Sequence, residues 1–139
     1  MSELADTSVW MKRRLLPLDV QAAFESALDG DDVATCDAVK AELLHTARNV
    51  DEFRAMRGDL DVLPFCPIGG SQWARALDVY ELLAARGGAH HREVPFNDLL
   101  IAAAAEAAGV PVLHYDRHFE RIAEVTGQPV RAIAPLGSL

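Results

Sequence analysis

Short apolar, β-prone runs alternate along this chain with longer stretches whose apolar residues recur every three or four positions. That alternation restricts the fold to a parallel sheet covered by helices. Strands are predicted at residues 4–5, 33–35, 60–63, 110–115 and 130–133. Helices are predicted over residues 8–15 and 18–28, the second with Val20, Phe24 and Leu28 at the four-residue spacing of a buried stripe and closed by Asp29-Gly30. Asp37 is a plausible N-cap for a helix carrying Val39, Leu43 and Leu44, and Asp51 opens a short helix closing near Gly58. A long amphipathic helix carries Trp73, Leu77, Tyr80 and Leu83 and stops at Gly87-Gly88. Residues 97–108 are apolar almost all round and rich in Ala, the pattern of a helix packed closely against a sheet, with Gly109 as its cap. The loops are short, which suits a three-layer αβα sandwich with a central parallel sheet.

A chain of 139 residues supports one hydrophobic core, so residues 1–139 are read as a single domain. No apolar run approaches the roughly 20 residues of a membrane span, and the opening Met1-Ser2-Glu3 with Asp6 lacks the basic start of a secretory signal. A cytoplasmic location is the expectation. Cys36 and Cys66 lie outside any paired metal or redox spacing and are expected to be reduced and buried. The formal charge of −8 runs against a nucleic-acid binder, whose phosphate contacts come from a basic face. Local charge differs: Lys12, Arg13 and Arg14 follow Asp6; His90, His91 and Arg92 precede Asp98; Arg117, His118 and Arg121 follow Asp116. Each cluster taken alone reads equally well as solvated surface.

In open parallel sheets function gathers outside the carboxyl ends of the strands. Asp6 follows the first predicted strand and Asp116 ends the run Val110-Pro111-Val112-Leu113-His114-Tyr115. Each also reads as an N-cap for the helix after it. Glu42 is placed by helical spacing at the edge of the apolar stripe of its helix, and Asp98 sits in the first turn of the Ala-rich helix, where the dipole stabilises a negative charge. Several carboxylates converging near a core need a compensating cation, and a hard divalent metal with oxygen ligands is the natural one.

The chain resembles the PIN-domain endoribonucleases, in particular the VapC toxins of bacterial toxin–antitoxin pairs. Four blocks carry the resemblance: Leu4-Ala5-Asp6-Thr7-Ser8-Val9-Trp10, Val39-Lys40-Ala41-Glu42-Leu43-Leu44, Asn97-Asp98-Leu99-Leu100-Ile101-Ala102-Ala103-Ala104-Ala105, and His114-Tyr115-Asp116-Arg117-His118-Phe119. The resemblance implies that Asp6, Glu42, Asp98 and Asp116 are the catalytic, metal-binding quartet, holding Mg²⁺ or Mn²⁺ against an RNA phosphodiester, with Thr7 or Ser8 offering a hydroxyl beside it. It further implies a small antitoxin as partner and assembly as a toxin homodimer, in a heterotetramer or larger complex. Leu15, Leu16 and Leu18 around Pro17 are candidate contacts for such partners, and equally candidates for the core. Arg117 or Arg92 would steer phosphate, and Trp10 is either a base-stacking surface or a core aromatic. Many members of the family carry Thr or Ser where His114 stands and a second acid where His118 stands. His118 is therefore read as a contact to RNA or, preferably, as a helix cap.

Three other readings are weighed. A receiver-like signalling domain needs a phospho-acceptor Asp at the end of the third strand, whereas Asp59 and Asp61 fall at the start of the third predicted run, and it needs a late Lys, whereas the only lysines are Lys12 and Lys40. A catalytically inactive PIN-fold module that binds RNA or protein is opposed by the complete quartet. A zinc hydrolase built on His114 and His118 would need both on one continuous helix, and Asp116 lies at a strand-to-helix turn between them.

Overall fold

The computed structural model describes residues 2–139. Four short strands, β1 (Glu3–Ala5), β2 (Val33–Ala34), β3 (Val112–His114) and β4 (Val130–Ala132), form a sheet in the order β2-β1-β3-β4. All pairings are parallel, with Leu4 opposite Ala34 on one side and Val112 on the other. Seven α-helices connect and cover them: α1 (Thr7–Lys12), α2 (Leu18–Asp29), α3 (Asp37–Leu44), α4 (Val50–Asp61), α5 (Gly70–Ala85), α6 (Phe96–Ala108) and α7 (Arg117–Thr126). This is the αβα sandwich expected from the alternation of strand and helix patterns.

Successive strand residues face opposite layers, so each strand feeds two cores. Leu4, Ala34 and Val112 join a cluster with Val39, Leu43, Leu83, Leu99, Ile101, Phe119 and Ile122, beneath α3 to α7. Ala5, Val33 and Leu113 join Val9, Leu16, Phe24 and Ile133, beneath α1 and α2. Val20 and Leu28 pack on this second cluster beside Phe24, as their spacing predicts. In α6 the residues from Leu99 to Ala105 are all buried, and the small Ala side chains let neighbouring backbone come close. One consequence is a buried hydrogen bond from Gln128 Nε2 to the Ala102 carbonyl, 3.0 Å. Gly109 ends α6 at φ 70°, a left-handed conformation that favours glycine.

Three local expectations are corrected. Residues 60–63 do not form a strand: α4 runs to Asp61, past Gly58, and the strand contact there is a single parallel bridge between Thr35 and Phe65. Met56, Leu60 and Leu63 stand at helical spacing and all pack on the larger cluster, whereas Val62 is 77% exposed, so the helical face buries what strand alternation would have split. Asn49, not Asp51, caps this helix by accepting from the Glu52 N–H, 2.8 Å. On α5 the buried face is Ala76, Val79 and Leu83, while Trp73 and Leu77 point outward, Trp73 stacking on Phe96 at 5.7 Å between centroids. Cys36 and Cys66 are free and buried, and burial pushes the Cys36 thiol up to about 12, which leaves it an inert apolar side chain.

The strand order carries a topological consequence. From the central β1 the chain crosses first to β2 on one side and later to β3 on the other, so helices leave the carboxyl ends of β1 and β3 toward opposite layers. The crevice this opens is where ligands bind in such sheets. Asp6 directly follows β1 and Asp116 follows β3 by two residues.

Candidate active site

Asp6 and Asp116 are both N-caps, as the plainer sequence reading holds, and both also face one crevice. Asp6 caps α1 with Oδ2, which accepts from the Ser8 N–H at 3.0 Å and from the Ser8 hydroxyl at 2.6 Å. The Ser8 Oγ in turn accepts from the Tyr115 N–H at 2.9 Å, tying the end of β1 to the segment after β3. Thr7, the other hydroxyl candidate, has a buried Oγ1 without a hydrogen-bond partner among the described residues. Asp116 caps α7 with Oδ1, which accepts from the His118 N–H at 3.0 Å. Its own N–H donates to His114 Nδ1 at 3.1 Å, so His114 carries its proton on Nε2 and donates to Glu120 at 3.0 Å. His114 is fully buried, and burial holds its pKa below the usual imidazole value, consistent with a neutral ring that fixes the backbone at Asp116.

The structure brings the four predicted acids into two overlapping groups. Asp6, Glu42 and Asp98 each present an oxygen within 4.8 Å of the others, and so do Asp98, Asp116 and the nitrogen of His118. Asp98 belongs to both. It hangs from the first turn of α6 and is 8% exposed. Burial first, and then the charges of Asp6, Asp116 and Glu42, push its carboxyl up to about 8. Burial also raises Asp6, against the lowering effect of its hydrogen bonds to Ser8. Glu42 departs from expectation: it lies at the exposed rim, not on a buried face, and is held by a short hydrogen bond from Asn97 Nδ2.

Two contributors escaped the sequence reading. Asn97 precedes Asp98 and serves α3 rather than its own helix, also reaching the Ala38 carbonyl at 3.5 Å. His118 does not cap the helix. Its ring turns back into the crevice, with Nδ1 at 3.1 Å from both Asp98 Oδ2 and Asp116 Oδ1. Its two-residue distance from Asp116 was the available signal, since a side chain in the first turn can fold back over its own cap. His114 and His118 therefore face different neighbours, and the two do not form a shared zinc site.

A cation fits this donor set. Asp6 is 3% exposed, and its Oδ1 has no hydrogen-bond partner among the described residues. A buried carboxylate oxygen left without a partner is expensive, and a divalent ion with hard oxygen ligands removes that cost. Other features flank the crevice. Arg117 is exposed and lines a cavity of about 500 Å³ with Tyr115, Asp116, Leu136 and Gly137. Trp10 is half-buried, packed edge-on against Phe24 at 5.4 Å with the Arg13 guanidinium 5.5 Å from its ring, so its ring serves packing.

A sandwich with this strand order and an acidic crevice at the carboxyl ends of β1 and β3 is that of the PIN-domain family, and the chain belongs to it: the PIN domain matches residues 4–125. The chain is 40% identical over 134 residues to Ribonuclease VapC18 of Mycobacterium tuberculosis, covering 96% of each protein. It is also 40% identical over 136 residues to Ribonuclease VapC51 of the same organism, covering 98% of this chain and 96% of the relative. In fold it is similar to a chain of DNA-bound VapBC from Salmonella typhimurium, with a TM-score of 0.72 at 18% identity over 96% of this chain and 100% of that one. VapBC-1 from nontypeable Haemophilus influenzae gives a TM-score of 0.73 at 17% identity, over 96% and 98%.

Proposed function

We propose that this protein is a metal-dependent endoribonuclease that uses Mg²⁺, with Mn²⁺ as an alternative, and acts as the toxin of a toxin–antitoxin pair. The observation that carries the reading is the unpartnered Asp6 Oδ1 in a crevice with Glu42, Asp98 and Asp116, within a PIN domain whose relatives are named ribonucleases. Asp6, Asp98 and Asp116 would hold the cation, with Glu42 as a ligand through water or as the group that orients the attacking water. When bound, the metal polarises a phosphoryl oxygen and lowers the pKa of water. The chain's own residues do the placing. Ser8 keeps one oxygen of Asp6 occupied and so turns the other to the crevice, His114 fixes the backbone that presents Asp116, and Asn97 holds Glu42 at the rim. Arg117, exposed beside Asp116, is positioned to take the phosphate.

The antitoxin reading follows from the VapBC complexes that share this fold. Of the three leucines singled out for partner contacts, Leu15 and Leu18 are 60% and 82% exposed, whereas Leu16 is buried and belongs to the core. The first two remain available to an antitoxin or to the second copy in a homodimer. The test is to incubate purified protein with total cellular RNA, with and without Mg²⁺, and to map new 5′ ends. Discrete cleavage that needs the metal and vanishes in Asp98→Asn supports the assignment. Equal cleavage after chelation, or by the variant, removes it.

A further inference from the structure

Beside Asp116 lies the cavity of about 500 Å³, and one of its walls is a turn that follows β4. The Ile133 N–H donates to the His114 carbonyl at 2.9 Å and Ala134 is buried, so the chain is carried to the carboxyl end of β3 before it turns. There the Ser138 N–H donates to the Pro135 carbonyl at 3.0 Å and Gly137 stands at φ 86°, the left-handed position that a type II turn gives to glycine. The Leu139 N–H then donates to the Tyr115 hydroxyl at 2.8 Å, which ties the turn to the residue before Asp116.

We infer that this cavity is an RNA subsite: it takes the unpaired nucleotide next to the scissile bond, with Arg117 on that nucleotide's phosphate and Leu136 against its base. The turn at 135–138 would thereby set which base is accepted beside the cut. This rests on the nuclease reading above and deepens it to a specificity site.

Three observations carry it. Asp116 belongs both to the acidic crevice and to the wall of the cavity, so a group in the cavity abuts whatever the crevice holds. In an RNA strand that neighbour is the adjoining nucleotide. Arg117 is exposed and has no ion pair or hydrogen bond among the described residues, whereas Arg75, Arg121 and Arg131 each meet a carboxylate on another segment. A guanidinium without a partner on the wall of a cavity suits a phosphate, whose oxygens it can take in pairs. Leu136 is 42% exposed on a turn held by the two hydrogen bonds above, so an apolar face is presented at a fixed place without being packed. The volume also lies within the roughly 300 to 1,000 Å³ of sites that hold one small molecule. A base can lay its face on such a wall only when it is unpaired and splayed out of the strand.

The experiment uses the full chain and a single-stranded RNA pool of randomised sequence. Cleavage with Mg²⁺ is read by sequencing the new ends, and binding of the same pool is measured in chelator over a range of salt. The wild type should prefer one class of base at one position next to the cut. Leu136→Ala should reduce that preference by about threefold or more, at that position alone, because an apolar contact of this size discriminates only modestly. Arg117→Ala should make the plot of log affinity against log salt shallower by about 0.7, the share of one phosphate on a single strand. Val62→Ala, an exposed apolar residue outside both the cavity and the crevice, should match the wild type in both readouts. Melting curves check that the variants fold. Metal-dependent cleavage by the wild type without a base preference beside the cut overturns this inference, as does the wild-type preference in folded Leu136→Ala or the wild-type salt slope in folded Arg117→Ala. The cavity then belongs to a protein partner or to none, and the nuclease reading stands. No metal-dependent cleavage by the wild type removes both.

Discussion

Asp6 and Asp116 show how one side chain serves two ends. In Asp6, Oδ2 caps α1 and Oδ1 is left in the crevice; in Asp116, Oδ1 caps α7 and also meets His118. Asp98 is the residue with most at stake, because it is buried among three other acids. Its carboxyl is raised from the ordinary 3.8 to about 8 in the folded chain, so the folded state holds a proton that the unfolded state releases. The resulting stabilisation is fully present below 3.8 and is lost as pH rises through about 8. Without metal, wild-type stability should therefore fall across that window relative to Asp98→Asn, whose amide does not titrate. At pH 8 the variant should be more stable by roughly 1 to 3 kcal/mol, less than the full shift because the surroundings relax. Paired urea titrations at several pH values measure the difference, and parallel pH profiles for the two proteins would contradict it.

Among the elements, α4 departs furthest from expectation. Gly58 suggests a helix end, yet it sits inside the helix with open space around it: an added Cβ would meet nothing within 4 Å, and its φ is not positive. Nothing in the fold requires glycine there. Gly58→Ala should stabilise the protein by about 0.5 to 1 kcal/mol, because alanine loses less backbone freedom on entering a helix. A raised urea midpoint with an unchanged slope is the expected reading, and a lowered midpoint would mean that α4 is shorter than Val50–Asp61. The Ala-rich α6 is the opposite case. Its periodicity is almost erased by apolar residues all round, and the structure buries nearly all of it, as such a pattern demands.

At the scale of the molecule, the sheet draws residues 6, 42, 98 and 116 into one crevice and concentrates acidic groups there, with His118 the one basic side chain paired to them among the described residues. A cation that binds only the folded chain adds stability by mass action, about 2.7 kcal/mol at a hundredfold excess over Kd. Mg²⁺ should accordingly raise the melting temperature of the wild type. The rise should be smaller in Asp6→Asn, because asparagine is as good an N-cap as aspartate and keeps α1 in place while removing the charge. Equal Mg²⁺-induced shifts would reduce Asp6 to its capping role.

Much was legible in the residues themselves, because it depends on local periodicity. The four strands that pair, the helices between them, the buried stripe of α2 and the placement of Asp6 and Asp116 after strands all follow from patterns two to four residues long. The acid quartet was legible through the resemblance of four blocks, each anchored to the start or end of an element. What local patterns could not decide was every contact between elements. Leu60-Asp61-Val62-Leu63 is a short apolar run of the kind a strand carries, and only the packing of Met56 beside Leu60 and Leu63 on the larger core selects helix. Glu42 lay at the edge of its stripe, and only the placement of α3 against Asn97 put it at the rim. His118 looked like a cap from sequence, since nothing within a few residues reveals that its ring meets Asp98, twenty residues earlier in the chain and on another helix. Side-chain partners across elements are set by how the layers stack, and a linear pattern carries no record of that stacking.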